Sequence, residues 1–206
     1  MNIDFILVLN TLLILGAALI SPGPDFFLVL KNSLRYGKRS GIITGIGIAT
    51  GCFISFTIVV VGVSFLFKYP LIKQVMNVVC GAYLSYIGIK CILSKSHHQY
   101  LSEQIENKFI SSWSLFISGL LTNIFNPKLY SLTTGIMAYV ENNHPSKLTN
   151  ISIIILQGLM ALVWFTLVAR LFSTKNMQDF YFRKKGIINK ILGVIFIIVA
   201  VRIVIG

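Results

Sequence analysis

Ser21-Pro22-Gly23-Pro24-Asp25 interrupts a run that is otherwise apolar from Phe5 to Leu30. Each proline lacks an N–H, and its ring clashes with the preceding turn, so a helix cannot run through this stretch. In water it would be a turn. Inside a segment with the length and composition of a membrane span, a break has to be sheltered by other protein or line a wet cavity, because backbone groups exposed to lipid go unsatisfied. Asp25, the only acidic residue within the long apolar runs, follows the break directly.

The rest of the chain supports the membrane reading. Of 206 residues, 55% are hydrophobic and 12% charged, about half the charged share of a soluble domain. Mean hydropathy is +0.82, more apolar surface than a soluble fold of this size can cover. The N-terminus lacks a basic leader and a small-x-small cleavage site after Leu19, so it is expected to stay as the first span.

Six charge-poor runs are long enough to span a bilayer. They are Phe5–Leu30, Gly41–Phe67, Leu71–Leu93, Trp113–Val140 (interrupted by Asn126-Pro127-Lys128), Leu148–Phe172 and Ile187–Gly206. Residues 94–111 form the most polar stretch, with His97, His98, Glu103 and Glu106. It is too short for a second domain, and one transmembrane domain over 1–206 is expected.

The net charge of +12 does not call for a nucleic-acid partner, since the basic residues fall mostly in loops. Lys31, Arg35, Lys38, Arg39, Lys90, Lys95, Lys108, Arg170, Lys175, Arg183, Lys184, Lys185 and Lys190 fall on one side; Lys68, Lys73, Lys147 and Arg202 fall on the other. Basic loops stay cytoplasmic, so the first, third and fifth loops are expected inside and both termini outside.

An internal repeat follows from aligning the breaks. Pro24-Asp25 matches Pro127-Lys128 at an offset of 103. The third and sixth runs match at an offset of 112, pairing Asn77 with Asn189, Gly81 with Gly193, Gly88 with Ala200 and Lys90 with Arg202. Three spans per half is an odd number, so the halves (about 1–93 and 112–206) insert with opposite orientation. The expected architecture is all-α: six transmembrane helices in two inverted three-helix repeats, the first and fourth helices broken. Such repeats point to a transporter with its site near the midplane.

These residues also carry a family resemblance. Gly16 with Ser21-Pro22-Gly23-Pro24-Asp25, then Asn32-Ser33-Leu34-Arg35-Tyr36-Gly37, Arg39, Gly41 and the Gly45/Gly47/Gly51 series, resembles the N-terminal signature of the LysE/RhtB family of bacterial amino-acid exporters. Asn126-Pro127-Lys128 is similar to the family's second motif. Gly81-Ala82-Tyr83-Leu84 with Tyr86-Ile87-Gly88 is similar to its third-span pattern. The resemblance covers essentially the whole chain. It implies a multi-pass protein of the bacterial inner membrane that exports amino acids or close derivatives, driven by the proton gradient. Its partners are then the amino acid, protons and the lipid bilayer, with no cofactor and no enzymatic step.

Among the residues, Pro24 suits the first position of a new helix, with Ser21 or Gly23 as its cap. The half-helix starting there presents a positive dipole end to a substrate carboxylate. Asp25 then meets the substrate's ammonium group, takes up the coupling proton, or only complements the dipole. Asn123 and Asn126 either satisfy backbone groups freed by Pro127 or bind substrate. Lys128, the repeat counterpart of Asp25, either pairs with it in one conformation or snorkels to an interface.

Gln157 and Trp164, seven apart on one helical face, are candidate site lining or plain packing. The glycines of the second run read as close helix contacts. His97-His98 alone is too small a ligand set for a metal. Two other function classes stay open. A membrane thiol or electron-transfer protein would need two of Cys52, Cys80 and Cys91 to meet, and a metal-ion exporter would need more carboxylates or histidines in the spans. No phosphate-binding glycine loop of the G-x-x-x-x-G-K-[ST] kind occurs, so ATP is not the expected energy source.

Overall fold

The computed structural model describes residues 2–21, 23–93, 110–171 and 175–205, and every regular element within them is an α-helix. In chain order they are α1 (Phe5–Ile20), α2 (Pro24–Tyr36), α3 (Lys38–Leu66), α4 (Pro70–Leu93), α5 (Ser112–Ile124), α6 (Pro127–Asn142), α7 (Lys147–Leu171) and α8 (Lys175–Ile205). His97, His98, Glu103 and Glu106 lie outside the described residues.

Local chemistry sets the boundaries. The side chains of Asp4, Ser111 and Asn126 accept from first-turn amides of α1, α5 and α6, which satisfies donors a helix leaves open. Pro24, Pro70 and Pro127 are the first residues of α2, α4 and α6, where a missing N–H costs nothing. Gly37 joins α2 to α3 at φ +87°, a conformation that residues with a Cβ rarely adopt.

Helices α3, α4 and α7 are each long and apolar enough to cross a membrane, and α1 with α2 pass the same test as one span bent by 54°. The outward faces are apolar, with Ile58, Val61, Val75, Val79, Ile151 and Leu159 all exposed. A helical chain that turns such side chains outward is an integral membrane protein. The fourth expected run comprises two helices, α5 and α6, that stop and restart around Asn126. The sixth expected run begins too late: α8 starts at Lys175, not Ile187, so the basic stretch before the apolar residues is helix rather than loop. Hydropathy finds the apolar part of a helix and is blind to a charged extension of it.

Helix α3 is the hub, packing against α2, α5, α6 and α7. Its glycines explain how. A Cβ on Gly45 would stand 3.0 Å from Phe165 Cβ and one on Gly51 2.8 Å from Asn123 Cβ; one on Gly47 would run into the Phe116 carbonyl. Across the same interface a Cβ on Gly119 would strike the Thr44 carbonyl. A second close pair joins α4 to α8, where a Cβ on Gly88 would stand 2.8 Å from the Gly193 carbonyl and one on Gly81 3.2 Å from that of Ala200. In lipid, such close backbone approach carries much of the helix association.

Gly119→Val is therefore expected to lower the thermal midpoint of the purified protein sharply, since overpacking against rigid backbone costs about 1–3 kcal/mol or more. Gly62→Val, where a Cβ meets nothing within 4 Å, should leave it unchanged. Equal midpoints for the two variants in thermal unfolding would contradict this packing.

One end of the bundle is tied together by polar contacts. The Ser64 hydroxyl of α3 donates to Glu141 Oε1 near the end of α6. Asn150 Nδ2 of α7 donates to the same oxygen at 3.0 Å. Nearby, the Asp4 amide donates to Thr149 Oγ1 at 3.1 Å, the Ser146 hydroxyl to the Asn2 carbonyl at 2.9 Å, and Asn77 Nδ2 to Asn142 Oδ1 at 3.4 Å. Beneath them lies a dry cluster that includes Leu7, Leu15, Phe56, Val60, Met137 and Ile153. Further in, along α1, α6 and α7, comes a cavity.

Candidate functional site

The cavity measures about 70 Å³ and is walled by the last turns of α1, the start of α2, the start of α6 and the middle of α7. Each water needs about 10–15 Å³ by this measure, so there is space for several waters or a small solute. Its polar lining is Ser21, Asp25, Asn126, Lys128, Thr133 and Gln157.

The two helix breaks meet here. Asp25 sits in the first turn of α2 and is 9% exposed. Its Oδ2 accepts from Asn123 Nδ2 at 2.9 Å and from Asn126 Nδ2 at 3.2 Å, both contributed by the other break. Such bonds to an ionised carboxylate are stronger than neutral ones, and they offset part of the cost of drawing a charge out of water. Asp25 Oδ1 is buried and has no hydrogen-bond partner among the described residues.

The contact runs in the other direction too. Lys128 Nζ, from the first turn of α6, donates to Ser21 Oγ at 2.9 Å and lies 3.4 Å from the Ser21 carbonyl. Gly23 lies alongside it: a Cβ there would stand 3.4 Å from Nζ, an ordinary contact.

The two half-helix starts differ in what they leave open. Asn126 Oδ1 accepts from the Lys128 amide at 3.1 Å, and the Asn126 carbonyl accepts from Leu129 N at 3.1 Å. Helix α6 is thus capped by its own chain. Helix α2 has Gly23 at its N-cap and no side-chain cap, so of Ser21 and Gly23 it is the glycine that occupies the position. With no side-chain oxygen at that cap, the positive end of α2 remains the better place for an outside anion.

Of the residues singled out in the sequence, Ser21, Gly23, Asp25, Asn126, Lys128 and Gln157 line the cavity, and Asn123 stands behind Asp25 as its donor. Pro24 and Pro127 start the two helices, and Pro24 does not line the cavity. Pro22 lies outside the described residues. Trp164 does not line the cavity; it packs, half-buried, on the cluster around Phe26, Ile48 and Phe165. On that stretch of α7 it is the next residue, Phe165, that reaches the cavity wall.

Cys52 and Thr133 were missed. Asn123 Nδ2 lies 3.1 Å from Cys52 Sγ, so the α3 thiol helps fix the amide that holds Asp25. No motif spacing signals that contact, because it depends on the α3–α5 crossing. Thr133, 4% exposed, lies five residues after Lys128 and invited notice only as a polar residue within an apolar run. Among the described residues the three cysteines form no disulfide, and no cluster of three His, Cys, Asp or Glu could hold a metal.

The family described as LysE type translocator matches residues 17–206. The uncharacterised membrane protein YrhP of Bacillus subtilis (strain 168) is 31% identical over 190 residues, covering 86% of this chain and 89% of that protein. The threonine efflux protein of Escherichia coli (strain K12) is 28% identical over 183 residues, covering 87% and 88%. An uncharacterised membrane protein of Haemophilus influenzae (strain ATCC 51907 / DSM 11121 / KW20 / Rd) is 25% identical over 199 residues, covering 93% and 92%. No solved structure matches.

Proposed function

The chain belongs to the LysE type translocator family, and on that footing we propose that it is a secondary active exporter of amino acids or close derivatives, driven by protons moving the other way. The observation that carries this reading is the joint site. A carboxylate and an ammonium from two separate helix breaks border one cavity, each held by groups from the opposite break. A zwitterion presents the matching pair of charges, its ammonium toward Asp25 and its carboxylate toward Lys128 and the positive end of α2. The threonine efflux relative supports amino acids as the cargo.

The inverted repeat gains support from the pattern of contacts. At the offset of 112, Ala200 is the counterpart of Gly88, and Gly193 of Gly81. Gly81 meets Ala200 while Gly88 meets Gly193, so each residue touches the counterpart of the other. At the offset of 103, Asn126 is the counterpart of Gly23, and Lys128 of Asp25. Asp25 bonds Asn126 while Lys128 Nζ borders Gly23, the same reciprocity again. Self-complementary contact of this kind is what a two-fold axis produces. It fits six spans made of α1 with α2, α3, α4, α5 with α6, α7 and α8, with both termini outside. Rocking one half against the other around the fixed site would then alternate access.

In this reading the end tied by Glu141 is the outer, closed end. Asp25 collects substrate or proton from within, and its partnerless Oδ1 is the atom that binds either. A divalent metal ion is a poor alternative cargo, since the cavity offers one carboxylate beside a lysine and hard cations want several oxygens. The test is counterflow with the purified protein in proteoliposomes, using a panel of labelled amino acids. Exchange of at least one is the expected result; exchange of none would remove the reading.

A further inference from the structure

The charges around the cavity limit the cargo further, and this step rests on the exporter reading. Asp25 and Lys128 are the only charged side chains among the described residues that line it. They correspond to the two backbone charges of an amino acid and leave no third charge. Most of the remaining wall is apolar, built by Leu15, Leu19, Phe26, Leu129, Leu132 and Phe165. Gln157 is 4% exposed and borders the same space, and its Oε1 has no hydrogen-bond partner among the described residues. Two buried acceptors, Asp25 Oδ1 and Gln157 Oε1, therefore wait for donors in one small cavity. An α-ammonium carries three N–H groups and can serve both.

We propose that the site takes zwitterionic amino acids with short, uncharged side chains and rejects basic and acidic ones, and that Gln157 is a specificity-determining residue acting as the second acceptor for the α-ammonium. A lysine or glutamate side chain would carry its charge into the apolar wall with no counter-charge. An uncompensated buried charge lowers affinity by roughly a hundredfold or more. Thr133, which borders the apolar part of the wall, suits a hydroxyl or methyl substituent.

The rule predicts its own inversion. Gln157→Glu adds a second carboxylate and so a place for a second positive charge. The experiment is counterflow in proteoliposomes with labelled threonine, alanine, lysine and glutamate, for the natural protein and for Gln157→Glu and Gln157→Leu. The natural protein should exchange threonine or alanine, and lysine and glutamate at no more than about one hundredth of that rate. Gln157→Glu should raise the lysine-to-threonine ratio at least tenfold. Gln157→Leu, which keeps the bulk but loses the acceptor, should raise the threonine KM roughly tenfold without admitting lysine; it decides Gln157's role should the Glu variant fail to insert.

Lysine or glutamate exchanged by the natural protein as fast as threonine would overturn the class. An unchanged ratio in an inserted Gln157→Glu protein, or an unchanged KM in Gln157→Leu, would overturn the role of Gln157. Exchange of no amino acid at all would remove the exporter reading and the proposal with it.

Discussion

Asp25→Asn is expected to abolish gradient-driven efflux, by at least about a hundredfold, while the protein remains in the membrane at its normal level. An asparagine oxygen can still accept from Asn123 and Asn126, so the break keeps its shape. The variant loses the charge and the proton site. A carboxylate deep in a bilayer protein costs about 2.5–3.5 kcal/mol on insertion scales, and two bonds to a charged acceptor recover about 1.5–3 kcal/mol each. The two bonds together recover about 3–6 kcal/mol, enough to hold ionised Asp25 in place, but an apolar residue there would need no such support, so its presence asks for a functional reason. Two assays separate its roles. If Asp25 only carries the proton, counterflow survives in the variant and uphill transport does not. If it also holds the substrate ammonium, both disappear. Retained uphill efflux would take Asp25 out of the mechanism.

The second large effect concerns the closed end. Glu141 lies in the last turn of α6, where the helix dipole disfavours a carboxylate, so it depends on Ser64 and Asn150 for its place. Lys128 and Glu141 stand at the two ends of this one half-helix, thirteen residues apart or about 20 Å. A helix that lines the site at one end and is fastened at the other is suited to act as the moving part. Glu141→Ala should release it and shift the population toward an outward-open form.

Cys52 reports on this. It is 1% exposed, adjoins Asn123 behind the cavity, and stays unreactive while dry, because the thiolate is the nucleophile. In a protein carrying Cys80→Ala and Cys91→Ala, a small membrane-impermeant thiol reagent added outside should label Cys52 slowly. Glu141→Ala should raise that rate at least about tenfold, the least effect expected from losing one charge-assisted bond. Ser64→Ala should act in the same direction. An unchanged labelling rate in properly inserted variants would mean that these contacts do not hold the end shut.

Much of the arrangement was legible from the residues themselves. Pro24 and Pro127 announce the two helix starts, because a proline lacks the N–H an interior turn needs and suits the first turn. The glycines at 41, 45, 47 and 51 announce α3 as a tightly packed helix, because only lost side chains let backbones approach so closely. What stayed hidden depends on which helices cross. The Cys52–Asn123 contact lies at the α3–α5 crossing, and no periodicity encodes it. Glu141 was passed over because the apolar run ends at Val140, one residue before it, whereas α6 continues to Asn142. Trp164 lies two turns further along α7 than Gln157, where its neighbour Phe165 takes the cavity wall and the indole packs on the cluster around Phe26 and Ile48. The start of α8 was misjudged because the charged residues before Ile187 read as loop, although nothing in their backbone propensity stops a helix.

The central claim, that one site made from two facing breaks couples amino-acid exit to proton entry, is tested most directly by proton movement. Proteoliposomes carrying the purified protein would be loaded with threonine and a trapped pH-sensitive dye, the membrane potential clamped, and then diluted into threonine-free buffer. The account predicts that the lumen acidifies as threonine leaves, and that Asp25→Asn proteoliposomes do not acidify. Threonine leaving with no change in lumenal pH would contradict it.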